Sequence, residues 1–401
     1  MAGIYVHIPF CKKACHYCNF HFSVSLKIKN DFIAALLKEI ALQKNYLQNE
    51  TIQSIYFGGG TPSILEKEDL QQICDALYTN FDIAAAAEIT LEANPDDIST
   101  EKLADWKKTA INRLSIGIQS FFEEDLQWMN RAHNALQAKD CITLAQASGF
   151  NNLSIDLIYG TPGLTDEKWK QNVDAALALN IPHLSCYALT VEPGTALQKM
   201  IAQHKKEDVD TEKQARHFVL LMDWLEQAGF EHYEISNFAK PGHRSIHNSS
   251  YWQGKKYLGL GPSAHSFDGT KRQWNIANNP LYIQSLNNNK IPFEEEILTG
   301  WQRLNEYIMT SLRTMEGLDL AYIKTNFGIV VSEQLQKNSD KFITGEKLLL
   351  NNQLLQLTRE GKLFADGIAA ELFFINDRPG INGSCDDANI LQPEPPSGKA
   401  P

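Results

Sequence analysis

The chain has 401 residues, enough for two or three domains of ordinary size, and is 43% hydrophobic and 21% charged, as in a soluble globular protein. It contains neither a run of about 18 apolar residues nor a basic stretch leading into an apolar one, so no transmembrane helix or signal peptide is expected and a cytoplasmic location is. A formal net charge of −11 argues against a large nucleic-acid footprint, which needs a basic face, while leaving room for a small basic patch.

In chain order, residues 3–9 predict a short strand from their β-branched and aromatic content, and its end delivers Cys11 to Cys18. Apolar positions at helical spacing predict a helix over 30–48, followed by a strand at 52–57 and the run Gly58-Gly59-Gly60-Thr61-Pro62. The pattern repeats with a helix at 66–80, a strand at 87–93, a helix at 99–109 and a strand at 113–119. Helices at 122–130 and 134–148 precede a strand at 153–159, and a helix at 165–179 precedes a strand at 183–190. Six strands alternating with helices predict an α/β protein whose parallel sheet is wound right-handed into a partial (βα)6 barrel. Chemistry in such barrels gathers beyond the C-terminal ends of the strands. Polar or glycine-rich features stand at each strand: the cysteines after the first, Gly58 to Pro62 after the second, then Glu92, Gln119, Asp156 and Tyr187.

A helix over 211–228 follows, then a polar segment dense in histidine and aromatic residues, including His243, His247, Tyr251, Trp252, Tyr257 and His265. Within it, Gly259-x-Gly261-Pro-Ser-Ala264 mimics a dinucleotide fingerprint, but Pro262 and the lack of a following βαβ unit discount that reading. Helices near 300–315, 319–326 and 331–338, a hairpin around Asn351-Asn352 and a last helix over 359–375 predict a small helical, winged-helix-like domain. The divisions expected are a barrel at 1–235, a connecting segment at 236–290, the C-terminal domain at 291–376, and a disordered tail at 377–401 that contains Cys385.

The most specific signal is Cys11-x3-Cys15-x2-Cys18, three thiols within eight residues. Iron–sulfur clusters ordinarily take four cysteines. A cubane held by three leaves one iron open to an exchangeable molecule. A zinc site recruiting His7, His16 or His21 is the bland alternative, disfavoured because zinc cysteines usually fall into two separated knuckles. A disulfide fits an odd cysteine count without a signal peptide poorly. Glu92 accepts without donating and suits a ribose diol. Arg131 offers a planar fork that suits a carboxylate, and pairing with it is the bland account of Asp156 in its apolar strand.

C-x3-C-x2-C shortly after a Tyr-x-His-x-Pro strand resembles the signature of the radical S-adenosylmethionine (SAM) superfamily. The resemblance spans about residues 3–375 and implies a 4Fe-4S cluster on Cys11, Cys15 and Cys18 whose open iron binds SAM. It implies contacts to SAM from Tyr5, Gly59, Gly60, Thr61, Glu92, Gln119, Arg131 and Asp156. Within the superfamily the chain is most similar to the coproporphyrinogen III oxidase-like branch. The oxygen-independent oxidase, which decarboxylates its substrate through a 5′-deoxyadenosyl radical, carries a further cysteine two residues after the third, where this chain has Phe20. It also carries a longer segment before its cysteines. The run His247-Asn-Ser-Ser-Tyr251-Trp252 instead matches the H-N-x-x-Y-W motif of the branch's heme chaperones, implying His247 in heme binding. Imidazole is a common axial ligand of heme iron, and a loop histidine ordered by backbone hydrogen bonds is the bland alternative. The chaperone reading implies heme and a heme-acceptor protein as partners, allows a peripheral membrane contact, and makes coproporphyrinogen dehydrogenase activity an expected absence. The oxidase is the alternative, and an RNA-modifying enzyme is disfavoured by the acidic charge.

Overall fold

The computed structural model describes residues 2–375. Six strands, β1 (Ala2–Ile8), β2 (Ile52–Gly59), β3 (Ile83–Ala93), β4 (Arg113–Gln119), β5 (Leu153–Tyr159) and β6 (His183–Ala188), lie side by side in that order. Each neighbouring pair among them is parallel. Their near-continuous apolar runs, such as Ala-Gly-Ile-Tyr-Val-His-Ile in β1, suit strands covered on both faces. Helices α1 (Lys29–Leu42), α2 (Lys67–Asn80), α3 (Thr100–Trp106), α4 (Glu123–Met129), α5 (Ala135–Ala147) and α6 (Asp166–Ala178) form the connections. Several starts are fixed locally: Asn134 and Gln137 close a capping box on α5, and Thr165 caps α6. Helix α1 ends at Leu42, short of the expected residue 48.

The sheet does not stop at six strands. It has twelve, because the stretch read as an irregular polar segment supplies elements to both edges. Helices α7 (Ala196–Ala202) and α8 (Thr211–Gln227) lead into β7 (Glu231–Glu234) and β8 (Asn237–Ala239), with β8 antiparallel to β6. Helix α9 (Ile246–Trp252) carries the chain back to β9 (Tyr257–Leu260), which lies parallel to β1 with Leu260 opposite Val6. Strands β10 (His265–Phe267) and β11 (Lys271–Asn275) follow, then α10 (Asn279–Asn287) and β12 (Phe293–Ile297), extending that edge antiparallel. The two glycines of the fingerprint-like run serve this joint. A Cβ on Gly259 would lie 2.1 Å from the carbonyl oxygen of His265, and Gly261 (φ +96) would meet the carbonyl oxygen of His7 at 2.5 Å.

The C-terminal residues close their own core, with Leu304, Ile308, Leu312, Leu335, Leu355 and Leu372 all buried. They comprise α11 (Gly300–Leu312), β13 (Leu318–Asp319), α12 (Leu320–Phe327), α13 (Ile329–Thr344), β14 (Leu348–Asn351), β15 (Leu354–Leu357) and α14 (Ala365–Leu372), with the strands in the order β13-β15-β14. Helix α13 is twice the expected length, and the last helix is a 3-10 turn at Gly361–Phe364 followed by α14. The tail expected to be disordered, with Cys385, lies outside the described residues. Among the described residues no helix is long and apolar enough to cross a membrane.

Candidate functional site

The cysteine loop is tied down at both ends. Where it leaves β1, Gly60 and Thr61 donate their backbone N–H groups to the carbonyls of Ile8 and Phe10, at 2.9 and 2.7 Å. The glycines make this approach possible, since a Cβ on Gly60 would lie 2.5 Å from the Phe10 oxygen, and one on Gly59 (φ +103) 2.5 Å from the His7 ring. At the far end the His16 N–H donates to the Met129 carbonyl at 3.1 Å, and Asn130 reaches the Ala14 carbonyl at 2.7 Å. Cys11, Cys15 and Cys18 are free and partly exposed. Burial pushes the Cys11 thiol up to about 11 against a hydrogen bond from Thr61, and burial also raises Cys18. A guanidinium N–H of Arg131 points at the Cys15 sulfur, 3.2 Å away.

Among the described residues no three His, Cys, Asp or Glu side chains close up as around a single metal ion. Thiolates on separate irons of a cubane stand wider than the roughly 3.8 Å that tetrahedral zinc with ~2.3 Å bonds imposes. The imidazoles of the zinc alternative are committed: His7 Nε2 to the His21 carbonyl at 2.9 Å, His16 Nδ1 to the Trp128 carbonyl at 3.1 Å, and His21 Nε2 to Asn279 Oδ1 at 2.7 Å.

Beneath the loop lie the strand-end residues. The Tyr56 hydroxyl donates to Glu92 Oε1 at 2.8 Å. Burial first, then the neighbouring Asp156, raises the Glu92 carboxyl to about 7, and burial raises Asp156 to about 6. Gln119 ends β4 with φ +66, beside a register irregularity in its pairing with β5. A left-handed non-glycine residue at a strand end turns the side chain out of the pleat. Here it lies beside Gly117, whose Cβ position is 3.0 Å from Gln119 Nε2 and 3.2 Å from Arg131 Nη2. Tyr5 donates to His7 Nδ1 at 3.2 Å, the direction fixed because the other ring nitrogen must donate to a carbonyl. Its ring stacks on Tyr56, with centroids 6.2 Å apart.

Two expectations change. Arg131 forms no ion pair with Asp156 among the described residues; it donates to Asn94 Oδ1 and the Gly117 carbonyl, both at 2.8 Å, and to Tyr17 at 3.4 Å. Arg113 is the nearer charge to Asp156 in effect, since it leads Arg131 in stabilising that carboxylate. Nor is His247 an open loop residue. It sits in the first turn of α9 at 1% exposure, its ring stacked 5.1 Å from Tyr56. Nδ1 is bonded to Ser54 Oγ and Nε2 to the Tyr251 hydroxyl, each at 2.9 Å, so both ring nitrogens are taken. Burial lowers its pKa to about 3, which keeps the ring neutral.

Arg113 was not expected at all. At 1% exposure it reaches Glu88 at 3.7 Å, and two of its nitrogens lack hydrogen-bond partners. The signal was available, because Arg113 opens an apolar strand as conspicuously as Asp156 interrupts one. Asn94, Tyr17 and Tyr56 were also missed; ordinary strand and loop residues by type, they acquire meaning only from what they touch.

The site therefore combines three thiols, two carboxylates whose ionisation burial opposes, and a buried guanidinium whose Nε has no partner. A ligand carrying positive charge would relieve the carboxylates, and an anionic group would satisfy Arg131. SAM carries a sulfonium, an ammonium and a carboxylate, and a metal cluster takes thiols as thiolates. The residues present fit both groups.

Residues 5–176 match the radical SAM superfamily and residues 298–364 the HemN C-terminal domain. The chain is 33% identical over 375 residues to a Mycobacterium tuberculosis protein named heme chaperone HemW, covering 92% of this chain and 94% of that one. It is 31% identical over 372 residues to the Bacillus subtilis protein of the same name, covering 92% and 98%. Among solved structures, coproporphyrinogen III oxidase (HemN) from Escherichia coli, described as a radical SAM enzyme, shares the fold with a TM-score of 0.81. That match covers 93% of this chain and 90% of the other, and at 24% identity it speaks for the fold alone.

Proposed function

The chain belongs to the HemW family of radical SAM proteins, and from that premise we propose that it binds heme and passes it to an acceptor protein. In this reading Cys11, Cys15 and Cys18 hold a 4Fe-4S cluster, and Tyr5, Gly59, Gly60, Thr61, Glu92, Gln119, Arg131 and Asp156 form the SAM site. The observation that carries the proposal is the identity to heme chaperones over more than nine-tenths of the chain. The cluster and SAM assignments draw support from the clamped cysteine loop and from the paired carboxylates and Arg131 beneath it. Gly59 and Gly60 act here through close packing, which brings Thr61 against Cys11. When bound, the cluster supplies an open iron site and one-electron chemistry. The protein's own residues orient the loop, keep Glu92 and Asp156 within the barrel and hold a guanidinium beside one cluster sulfur.

Phe20, at 68% exposure, offers no thiol where the oxidase carries its further cysteine. The proposal accordingly expects no oxidative decarboxylation. Reconstituted protein incubated anaerobically with SAM, a reductant and coproporphyrinogen III should yield no protoporphyrinogen. Its formation would replace the chaperone reading with the oxidase.

A further inference from the structure

If the chain binds heme, as proposed above, the iron needs a ligand, and His247 is poorly presented as one. Of the eleven histidines, His7, His16, His21, His133, His183, His217, His232 and His247 each have a ring nitrogen in a hydrogen bond. Among the described residues the rings of His204, His243 and His265 have none. His204 lies in the charged stretch Lys205-Lys206-Glu207-Asp208 and His243 in an exposed turn, and neither ring packs against an aromatic residue. His265 differs in its setting. It is exposed at the start of β10, and its ring lies stacked on Trp274 across the strand pair, with centroids 6.2 Å apart at 28°.

His265 and Trp274 line a cavity of about 510 Å³ together with Ser263, Ile276, Pro292 and the exposed Phe293. That volume falls within the range of small-molecule sites, roughly 300–1,000 Å³. The lining is aromatic and aliphatic around one unengaged imidazole, which suits a flat apolar macrocycle bearing a metal. Burial, then the nearby Arg272, lowers the His265 pKa, favouring the neutral ligating form. Glu294 on the rim would repel propionates, so these would face solvent on the other side.

The groove is rigid underneath and close to the cysteine loop. Glu39 accepts from the Gly261 N–H at 2.7 Å, Asn275 at 2.6 Å and Tyr282 at 2.5 Å, fixing the segments on either side of the groove to α1. Gly261 packs on the His7 carbonyl, where β1 turns into the loop, and Asn279, just beyond the groove residues Ile276 and Ala277, accepts from His21.

We propose that this groove is a heme-binding site in which His265 ligates the iron and Trp274 and Phe293 pack against the porphyrin. The test is titration of the purified full chain with hemin, following the Soret band. His265→Ala should lose the ligand-dependent position of the band and bind about tenfold or more weakly, and added imidazole should restore the band. Trp274→Ala should weaken binding while leaving the band where it is, and His247→Ala should leave its position unchanged. The exposed His265 can be replaced without disturbing a core contact, and circular dichroism checks the fold. A spectrum and affinity of His265→Ala equal to wild type would overturn this site while leaving heme binding standing. A wild-type chain with no saturable Soret change would overturn the site and the heme reading together.

Discussion

At the scale of single residues, the candidate site is a balance of buried charges. Arg131 faces the Cys15 sulfur and keeps its Nε unpaired. Arg131→Ala should weaken SAM binding to the reconstituted protein by about 1.5–3 kcal/mol, the value of a charge-assisted bond; unchanged equilibrium binding with an intact fold would remove it from the site. Glu92 gives a pH test. Its folded-state pKa, raised to about 7, lies above the ordinary carboxylate value, so the folded state takes up the proton first. Its contribution is therefore lost as pH rises through this range, and the cofactor-free protein suffers most from Glu92 above pH 7. Glu92→Gln should gain in melting temperature relative to wild type between pH 5 and pH 8. A constant difference across that range would mean that Glu92 does not titrate there. Cys74, Cys141 and Cys186 are buried away from the loop, so replacing them together with Cys385 should leave iron and sulfide content after reconstitution unchanged. The cysteine motif was legible because spacing alone carries its chemistry. The state of His247 was not, since only the fold shows that Ser54 and Tyr251 occupy both its nitrogens.

At the scale of elements, the alternation of strands and helices was readable from residue 3 to residue 190, where apolar runs are long and glycines fall at strand ends. The strands of the connecting segment were not. Strands β8, β9, β10 and β11 have only three to five residues each, too few for a period of two to stand out, and they are strands because β1 and β6 offer them edges. The crossing of β2 under the loop start tolerates no side chain. Gly60→Ala should cost about 1–3 kcal/mol through overpacking against the Phe10 and Ile8 carbonyls, read by urea unfolding, and should lower iron incorporation. Glu39 is the corresponding tie on the other side. Glu39→Ala strips an acceptor from three buried donors, at about 1–3 kcal/mol each, but also relieves a buried carboxylate. A net loss of about 2–4 kcal/mol is expected; a neutral result would mean that water replaces the carboxylate.

At the scale of the whole molecule, the C-terminal core is held to the barrel by charged contacts. Arg313 bonds the buried Glu234 at 2.9 Å and packs over Trp252 of α9, while Arg244 spans Glu231 and Glu316. Removing Arg313 would strand a carboxylate of 1% exposure, a kind of change that costs about 3–5 kcal/mol when nothing else compensates. Here Ser236 and Asn237 also donate to Glu234, so the loss should fall below that range. The molecule thus presents one continuous twelve-stranded sheet, with the clamped cysteine loop at its centre and a heme-sized groove on the neighbouring edge. The central claim is that this assembly binds heme without converting a porphyrinogen. Titration of the reconstituted full-length protein with heme tests it most directly. The account predicts a saturable Soret change at one heme per chain, and the absence of saturable binding would contradict it.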